Sequence, residues 1–184
     1  FTLDSPGIMQ KEELNISKEL KVDNLSYKYP SSKNLIIKDI SFSIPVGRCV
    51  AFVGKTGSGK STTANLLLGL LKPINGSIKI DGHKINEERI PAWQANCAYV
   101  PQQITLLGTS ILENIAFGEF KKDIDFERVK EALKISQLYD FVEKMPEKLN
   151  TRIGENGTRL SGGQRQRLAI ARAFYKKAKF IVLD

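Results

Sequence analysis

Two short segments of this chain have the residue types that gather phosphate. The first is Gly54-Lys55-Thr56-Gly57-Ser58-Gly59-Lys60-Ser61, followed by Thr62 and preceded by the apolar run Val50-Ala51-Phe52-Val53. It fits the pattern G-x-x-x-x-G-K-[ST], which implies a buried strand, a glycine loop and then a helix. Glycines let successive backbone N–H groups point into one concavity, because a Cβ would block close approach and several positions need dihedrals that side chains disfavour. A helix starting near Lys60 adds its positive end. Lys60 is expected to reach the β- and γ-phosphates of a nucleotide, and the Ser61 hydroxyl to ligate a Mg²⁺ that touches the same oxygens. Residues 54–62 therefore predict an ATP or GTP site.

The second segment is Leu160-Ser161-Gly162-Gly163-Gln164, directly ahead of a helical stretch. Ser161 brings a hydroxyl, Gly162 and Gly163 leave backbone N–H groups uncovered, and the helix behind them directs its positive end at whatever binds. Downstream, Phe180-Ile181-Val182-Leu183 is a continuous apolar run of the kind that fills parallel strands, and Asp184 stands at its end. The two loops and this carboxylate together resemble the ABC ATPases, with residues 54–61 in the place of the Walker A loop, residues 161–164 in that of the family signature and Asp184 in that of the Walker B aspartate.

The resemblance covers nearly the whole chain and implies roles for further residues. Tyr29, 31 positions before Lys60, is similar in placement to the aromatic that stacks on adenine in the family, while Tyr27 invites a plain packing role for both. Gln102, with Gln103 beside it, resembles the glutamine that touches Mg²⁺ and senses a transmembrane partner. The metal set implied is Ser61, Gln102 and Asp184, and the catalytic set Gln102 and Asp184. Thr151-Arg152-Ile153-Gly154-Glu155-Asn156-Gly157 resembles the loop ahead of the signature in exporters, where an acidic residue such as Glu155 meets the membrane domain. In the family, a glutamate follows the Walker B aspartate and a histidine comes later. His83 stands too early for that role and reads as a turn residue, so the 184 residues alone are expected to bind ATP without hydrolysing it.

The elements that must hold these loops can be read from periodicity. Leu25, Tyr27 and Tyr29, then Ile40, Phe42, Ile44 and Val46, alternate as antiparallel strands around a turn at Pro30-Ser31-Ser32. Ala64, Leu67, Leu68 and Leu71 recur at helical spacing, closed by Pro73 and Asn75-Gly76 before Ile78 and Ile80 return to strand. After the Cys97-Ala98-Tyr99-Val100 strand the period changes. Phe126, Val129 and Leu133, then Leu138, Phe141, Val142 and Met145, predict two amphipathic helices with an acidic start at Asp123 and Asp125. A last helix over 164–177 places Leu168, Ala171 and Tyr175 on one side. The expected fold is α/β: a P-loop NTPase, RecA-like core with an antiparallel β subdomain and a small α-helical signature subdomain at about 104–163.

Composition sets the frame. The 184 residues are 41% hydrophobic and 26% charged, as in an ordinary single globular domain, and no run of 18 apolar residues or signal pattern is present. Residues 1–19 are polar with Pro6 and Gly7, as a linker from a preceding membrane domain would be, and 20–184 form the nucleotide-binding domain, incomplete at its C-terminus. Phe1 in place of an initiator Met predicts a piece of a longer protein. Cys49 and Cys97 lie in apolar surroundings and are expected to be buried free thiols. The +8 net charge suits nucleic acid, anionic headgroups or a solvated basic surface equally.

The resemblance points to an exporter-type half-transporter on the cytoplasmic face of the inner membrane, with a second ABC ATPase domain packed head to tail and transmembrane domains as partners. Residues 93–102 also resemble flippases of lipid-linked oligosaccharides, although cargo is read by membrane helices. Two other classes are an ABC ATPase acting on nucleic acid, against which the short helical subdomain argues so that no nucleic acid is expected, and a non-hydrolysing regulatory nucleotide binder.

Overall fold

The computed structural model describes residues 16–184, so most of the expected linker lies outside the described residues. These form two compact units, one up to Asn96 and one from Cys97 to Asp184.

In the first unit β1 (Glu19–Tyr27), β2 (Ile37–Pro45), β3 (Asn75–Ile80) and β4 (His83–Lys84) make an antiparallel sheet in the order β2-β1-β3-β4. Its register pairs apolar with apolar: Leu20 lies opposite Ile44 and Ile80, and Val22 opposite Phe42 and Ile78. The buried apolar positions of β1 are Leu20 and Val22 and then Leu25 and Tyr27, a switch from even to odd numbers that a regular strand forbids. A β-bulge supplies the missing residue, with register shifts on both pairings of β1 and Asn24 at φ +49°. Gly76 runs beside this bulge at φ +84°, and a Cβ there would lie 2.4 Å from the carbonyl oxygens of Asp23 and Asn24, so only glycine fits. β3 and β4 are joined by Asp81 (φ +48°) and Gly82 (φ +86°), the two left-handed residues of a tight hairpin. The Asp81 carboxylate accepts from the backbone N–H groups of Ser17, Lys18 and Glu19 and ties the entering chain to that turn. His83 is exposed beside it, but as the first residue of β4, paired with Ile80, rather than as a turn residue.

α1 (Lys60–Leu67) and α2 (Ile90–Ala95) complete this unit. Trp93 on α2, fully buried, donates from Nε1 to the carbonyl of Leu67 at 2.7 Å and so satisfies one of the open carbonyls at the end of α1. Leu71 does not belong to that helix, because Gly69 leaves it in a left-handed conformation at φ +68°.

In the second unit β5 (Cys97–Val100) and β6 (Phe180–Leu183) pair in parallel, Cys97 opposite Phe180 and Val100 opposite Leu183. The expected parallel strand at 180–183 is present, but half-buried rather than enclosed. α3 (Ile111–Ile115), α4 (Phe126–Ile135), α5 (Tyr139–Glu143) and α6 (Gly162–Tyr175) pack around Leu106, Ile115, Leu133, Leu138, Ile153 and Leu168. α6 begins two residues before the periodicity suggests. It buries two stripes: Leu168, Ala171 and Tyr175 enter the helical core, whereas Ala169 and Ala173 lie against Ala98 and Val100 of β5. Asp125 caps α4 by accepting from the Arg128 N–H at 3.0 Å, which realises the acidic start. α3 carries a capping box between Ser110 and Glu113, a Ser-x-x-Glu signal present in the sequence. Lys121, followed by Ser110, holds the Glu113 carboxyl down to about 2.

Two expectations fail in one place. Residues 50–53 form no strand, and Val50, Phe52 and Val53 are 42%, 40% and 96% exposed. An apolar run becomes a strand only when a neighbour takes its N–H and C=O groups, and among the described residues of this unit the sheet does not extend to it. Phe52 instead meets Phe42 edge to face, with ring centroids 5.4 Å apart. Cys49, in the same unpaired segment, is exposed, while Cys97 is buried as expected and its thiol is pushed up to about 12 by burial.

Candidate functional site

The glycine loop is closed by its own backbone. Ser58 N–H donates to the Lys55 carbonyl at 3.1 Å, and Gly57 and Gly59 turn at φ +81° and +90°. A Cβ on Gly54 would stand 2.8 Å from Ser58 Oγ, and one on Gly59 2.6 Å from Ile37 Cδ1. The loop thus has the tight curvature that glycine alone allows, and Gly59 delivers it into α1 without a side-chain cap, leaving the first N–H groups of the helix to an external acceptor. Lys55, Thr56, Gly57 and Ser58 are exposed along the rim, and Ser61 is exposed on the first turn of α1. Lys60 Nζ donates to the carbonyls of Gly54 and Lys55, each at 2.9 Å, so its ammonium already lies over the loop. Thr63 Oγ donates back to the Gly59 carbonyl and braces the junction at 2.9 Å.

Tyr29 and Tyr27 are separated by the fold. Tyr27 ends β1 in the core, 6% exposed. Tyr29 lies beyond the strand, half-buried, its ring edge to face with Tyr27 at 5.2 Å and its hydroxyl 3.3 Å from Thr62 Oγ1. The less buried of the two aromatics therefore lies beside the loop's helix. Replacing Tyr29 with Ala is expected to weaken ATP and ADP binding equally, by about 5- to 150-fold, since base stacking on an aromatic contributes about 1–3 kcal/mol and ignores the phosphate count. Titration of both nucleotides checks it, with Tyr29→Phe as the variant that should bind normally; an unchanged affinity in Tyr29→Ala removes the stacking role.

In the second unit, Ser161 caps α6 in a reciprocal arrangement that the sequence reading missed although Ser-x-x-Gln announces it: Gln164 N–H donates to Ser161 Oγ, and Ser161 N–H to Gln164 Oε1 at 2.7 Å. The Gln164 side chain is thus engaged in holding the loop. Gly162 and Gly163 are exposed, with only arginine tips near where a Cβ would be. Arg165 Nη1 donates to the Leu160 carbonyl at 2.7 Å and fixes the loop from behind. At the carboxyl edge of the parallel pair, Asp184 N–H bonds the Val100 carbonyl at 3.0 Å, and Gln102 leaves β5 two residues later, exposed. Ligands of parallel sheets collect at this edge. Tyr99 donates its hydroxyl to Asp184 Oδ2 at 3.0 Å; burial and then this carboxylate raise the phenol's pKa.

The donor types suit Mg²⁺. A serine hydroxyl, a glutamine carbonyl and a carboxylate are hard oxygen ligands, few in number, of the kind Mg²⁺ combines with water and phosphate. Among the described residues no cluster of three His, Cys, Asp or Glu offers an all-protein cage.

The family model described as ABC transporter matches residues 37–184. The chain is 42% identical over 175 residues to an ATP-dependent lipid A-core flippase of Dechloromonas aromatica, with 95% of the chain and 30% of the relative covered. It is 40% identical over 181 residues to the flippase of the same name in Pseudomonas aeruginosa, with 98% and 30% covered. Among solved structures, a bacterial Atm1-family ABC exporter with ATP bound matches 99% of the chain and 31% of its own length, with a TM-score of 0.84 and 33% identity. The chain spans about 30% of the length of the relatives it matches. No described helix is long and apolar enough to cross a membrane.

Proposed function

The chain belongs to the ABC transporter family, and from that premise we propose that it is the ATP-binding and ATP-hydrolysing part of an exporter, acting on the cytoplasmic face of the inner membrane. One observation carries the reading. The chain has two glycine-lined loops, each feeding the N-terminus of a long enough helix, at Gly59 before α1 and at Ser161 before α6. One nucleotide needs one such cradle. Two on each chain suit a closed, two-fold, head-to-tail pair in which residues 54–62 of one copy and residues 161–164 of the other face the same ATP.

When bound, ATP with Mg²⁺ would supply the γ-phosphoryl group and the negative charge that the two loops are suited to receive. Tyr29 would hold the base, the backbone of residues 54–59 and Lys60 the phosphates, and Ser61, Gln102 and Asp184 are the oxygens that would be offered to the metal. Gln102 would also sense the transmembrane partner. Positioning and charge stabilisation are what the protein contributes to phosphoryl transfer. The protein is expected to bind ATP and to hydrolyse it. Closure on ATP and reopening after hydrolysis would drive alternating access in the transmembrane domains.

Cargo is set by the membrane-embedded part, and the lipid A-core flippase relatives make a lipid-linked glycan the first to test. The experiment is ATP-driven movement of a fluorescent lipid-linked glycan in proteoliposomes of the intact protein, with phosphate release measured alongside. Both should require Mg²⁺ and stop on chelation. Hydrolysis without vectorial movement of any lipid would overturn the exporter reading, and no hydrolysis would overturn the ATPase reading.

A further inference from the structure

Arg172, near the end of α6, is a cation used in an unusual way. Among the described residues no carboxylate pairs with it. Its three donor nitrogens instead serve neutral oxygens of the segment that leaves Gln102: Nε to the Asn114 carbonyl at 2.6 Å, Nη1 to the Thr105 carbonyl at 2.8 Å and Nη2 to Asn114 Oδ1 at 2.6 Å. The Phe117 ring covers it at 5.3 Å. The side chain is half-buried, and burial lowers its pKa.

Asn114, fully buried, passes the grip along. Its Oδ1 accepts from Leu107 N–H and its Nδ2 donates to the carbonyls of Leu107 and Ser110 and to Thr109 Oγ1. One arginine and one asparagine thus fix the backbone at Thr105, Leu107 and Ser110. The far side of the same segment is fastened to the stretch ahead of Ser161: Ile153 N–H donates to Thr109, Ile111 N–H to Thr151, and Leu106 rests on Gly157, where a Cβ would come within 2.6 Å of Leu106 Cδ1.

An apolar side chain would fill this space at lower desolvation cost, so what the guanidinium adds is direction: a planar fork with three fixed donors sets orientation as well as distance. α6 is a single helix from Gly162 to Tyr175, about 20 Å long, and behaves as one body over that length. We propose that Arg172 is a positioning residue that locks the segment following Gln102 to the signature helix, so that the Gln102 loop and the Ser161 loop of one chain move together. Its consequence for turnover rests on the ATPase reading above; its geometry does not.

The test uses the intact protein with Cys49→Ser and Cys97→Ala, and spin labels at the exposed Gln103 and Gln166. The parent should give one narrow distance distribution, Arg172→Met a distribution at least twofold wider, and Arg172→Lys, which keeps the charge and fewer bonds, an intermediate width. Leu149→Ala, which trims the same hydrophobic core without touching the fork, serves as the control for lost stability alone and should leave the width unchanged. In unlabelled protein kcat should fall about tenfold in Arg172→Met, with KM for ATP within twofold, since the Arg172 donors are engaged by Thr105 and Asn114 rather than by either glycine-lined loop. An unchanged width in Arg172→Met, an equal broadening in Leu149→Ala, or a loss confined to KM would overturn the proposal. If the parent hydrolyses no ATP, the ATPase reading fails, while the label distances still decide the role of Arg172.

Discussion

Lys60→Ala should lose about 30-fold to several thousandfold in ATP affinity. Removing one member of a desolvated charge pair costs about 2–5 kcal/mol, and each 1.4 kcal/mol is a factor of ten. The side chain has two engagements to lose, the phosphates it is expected to meet and the two carbonyls, of Gly54 and Lys55, that it already bridges at 2.9 Å. Thermal unfolding of the variant separates them. Loosening of the loop lowers the midpoint with or without nucleotide, whereas loss of the phosphate partner removes the rise in midpoint that ATP produces. Lys60→Arg keeps the charge with a different reach and should fall between the two. Equal dissociation constants for parent and Lys60→Ala would sink the phosphate-loop assignment.

Ser161→Arg should abolish the approach of two copies on ATP while leaving the affinity of each for nucleotide within twofold. The guanidinium would occupy space expected to receive the γ-phosphate held by the other copy, and would bring unmatched bulk to the interface. Because Ser161 also caps α6, the substitution carries a stability cost of about 0.5–2 kcal/mol unrelated to the partner. Ser161→Asp resolves the ambiguity, since aspartate caps a helix as well as serine and places a like charge toward the phosphate. Both variants should fail to close, and only Ser161→Arg should unfold at a lower temperature. Spin labels at the exposed Gln166 of one copy and Lys33 of the other report closure in the intact protein with a non-hydrolysable ATP analogue. An inter-copy distance that still shortens in both variants would refute the cross-chain role.

What was legible in the sequence depended on how local the physics is. The glycine loop and the signature loop are set by a few neighbouring residues: φ values that only glycine takes readily, a serine that caps and a helix that starts at once. The hairpin at Asp81-Gly82 and the cap at Asp125 are equally local, and the capping boxes at Ser110 and Ser161 were present in the sequence to be read. The run at residues 50–53 was not local. Its apolar composition suits a buried strand, but strand and burial both depend on a neighbour's hydrogen bonds, and the segment stays unpaired in its unit, which is also why Cys49 is exposed.

The bulge at Asn24 is a further case, because the slip that moves burial from Val22 to Leu25 is visible only once β2 and β3 flank β1. The choice between Tyr27 and Tyr29 follows from where β1 ends, since Tyr27 closes the strand in the core and Tyr29 lies beyond it, partly open beside Thr62. Which residues could cradle phosphate was readable along the chain, because that chemistry is written in spans of eight residues or fewer. Tertiary structure alone decided what holds those cradles in place: Arg172 reaches Thr105 across 67 positions and Asn114 across 58, and such pairings are selected by packing and desolvation in three dimensions, where no periodicity along the chain records them.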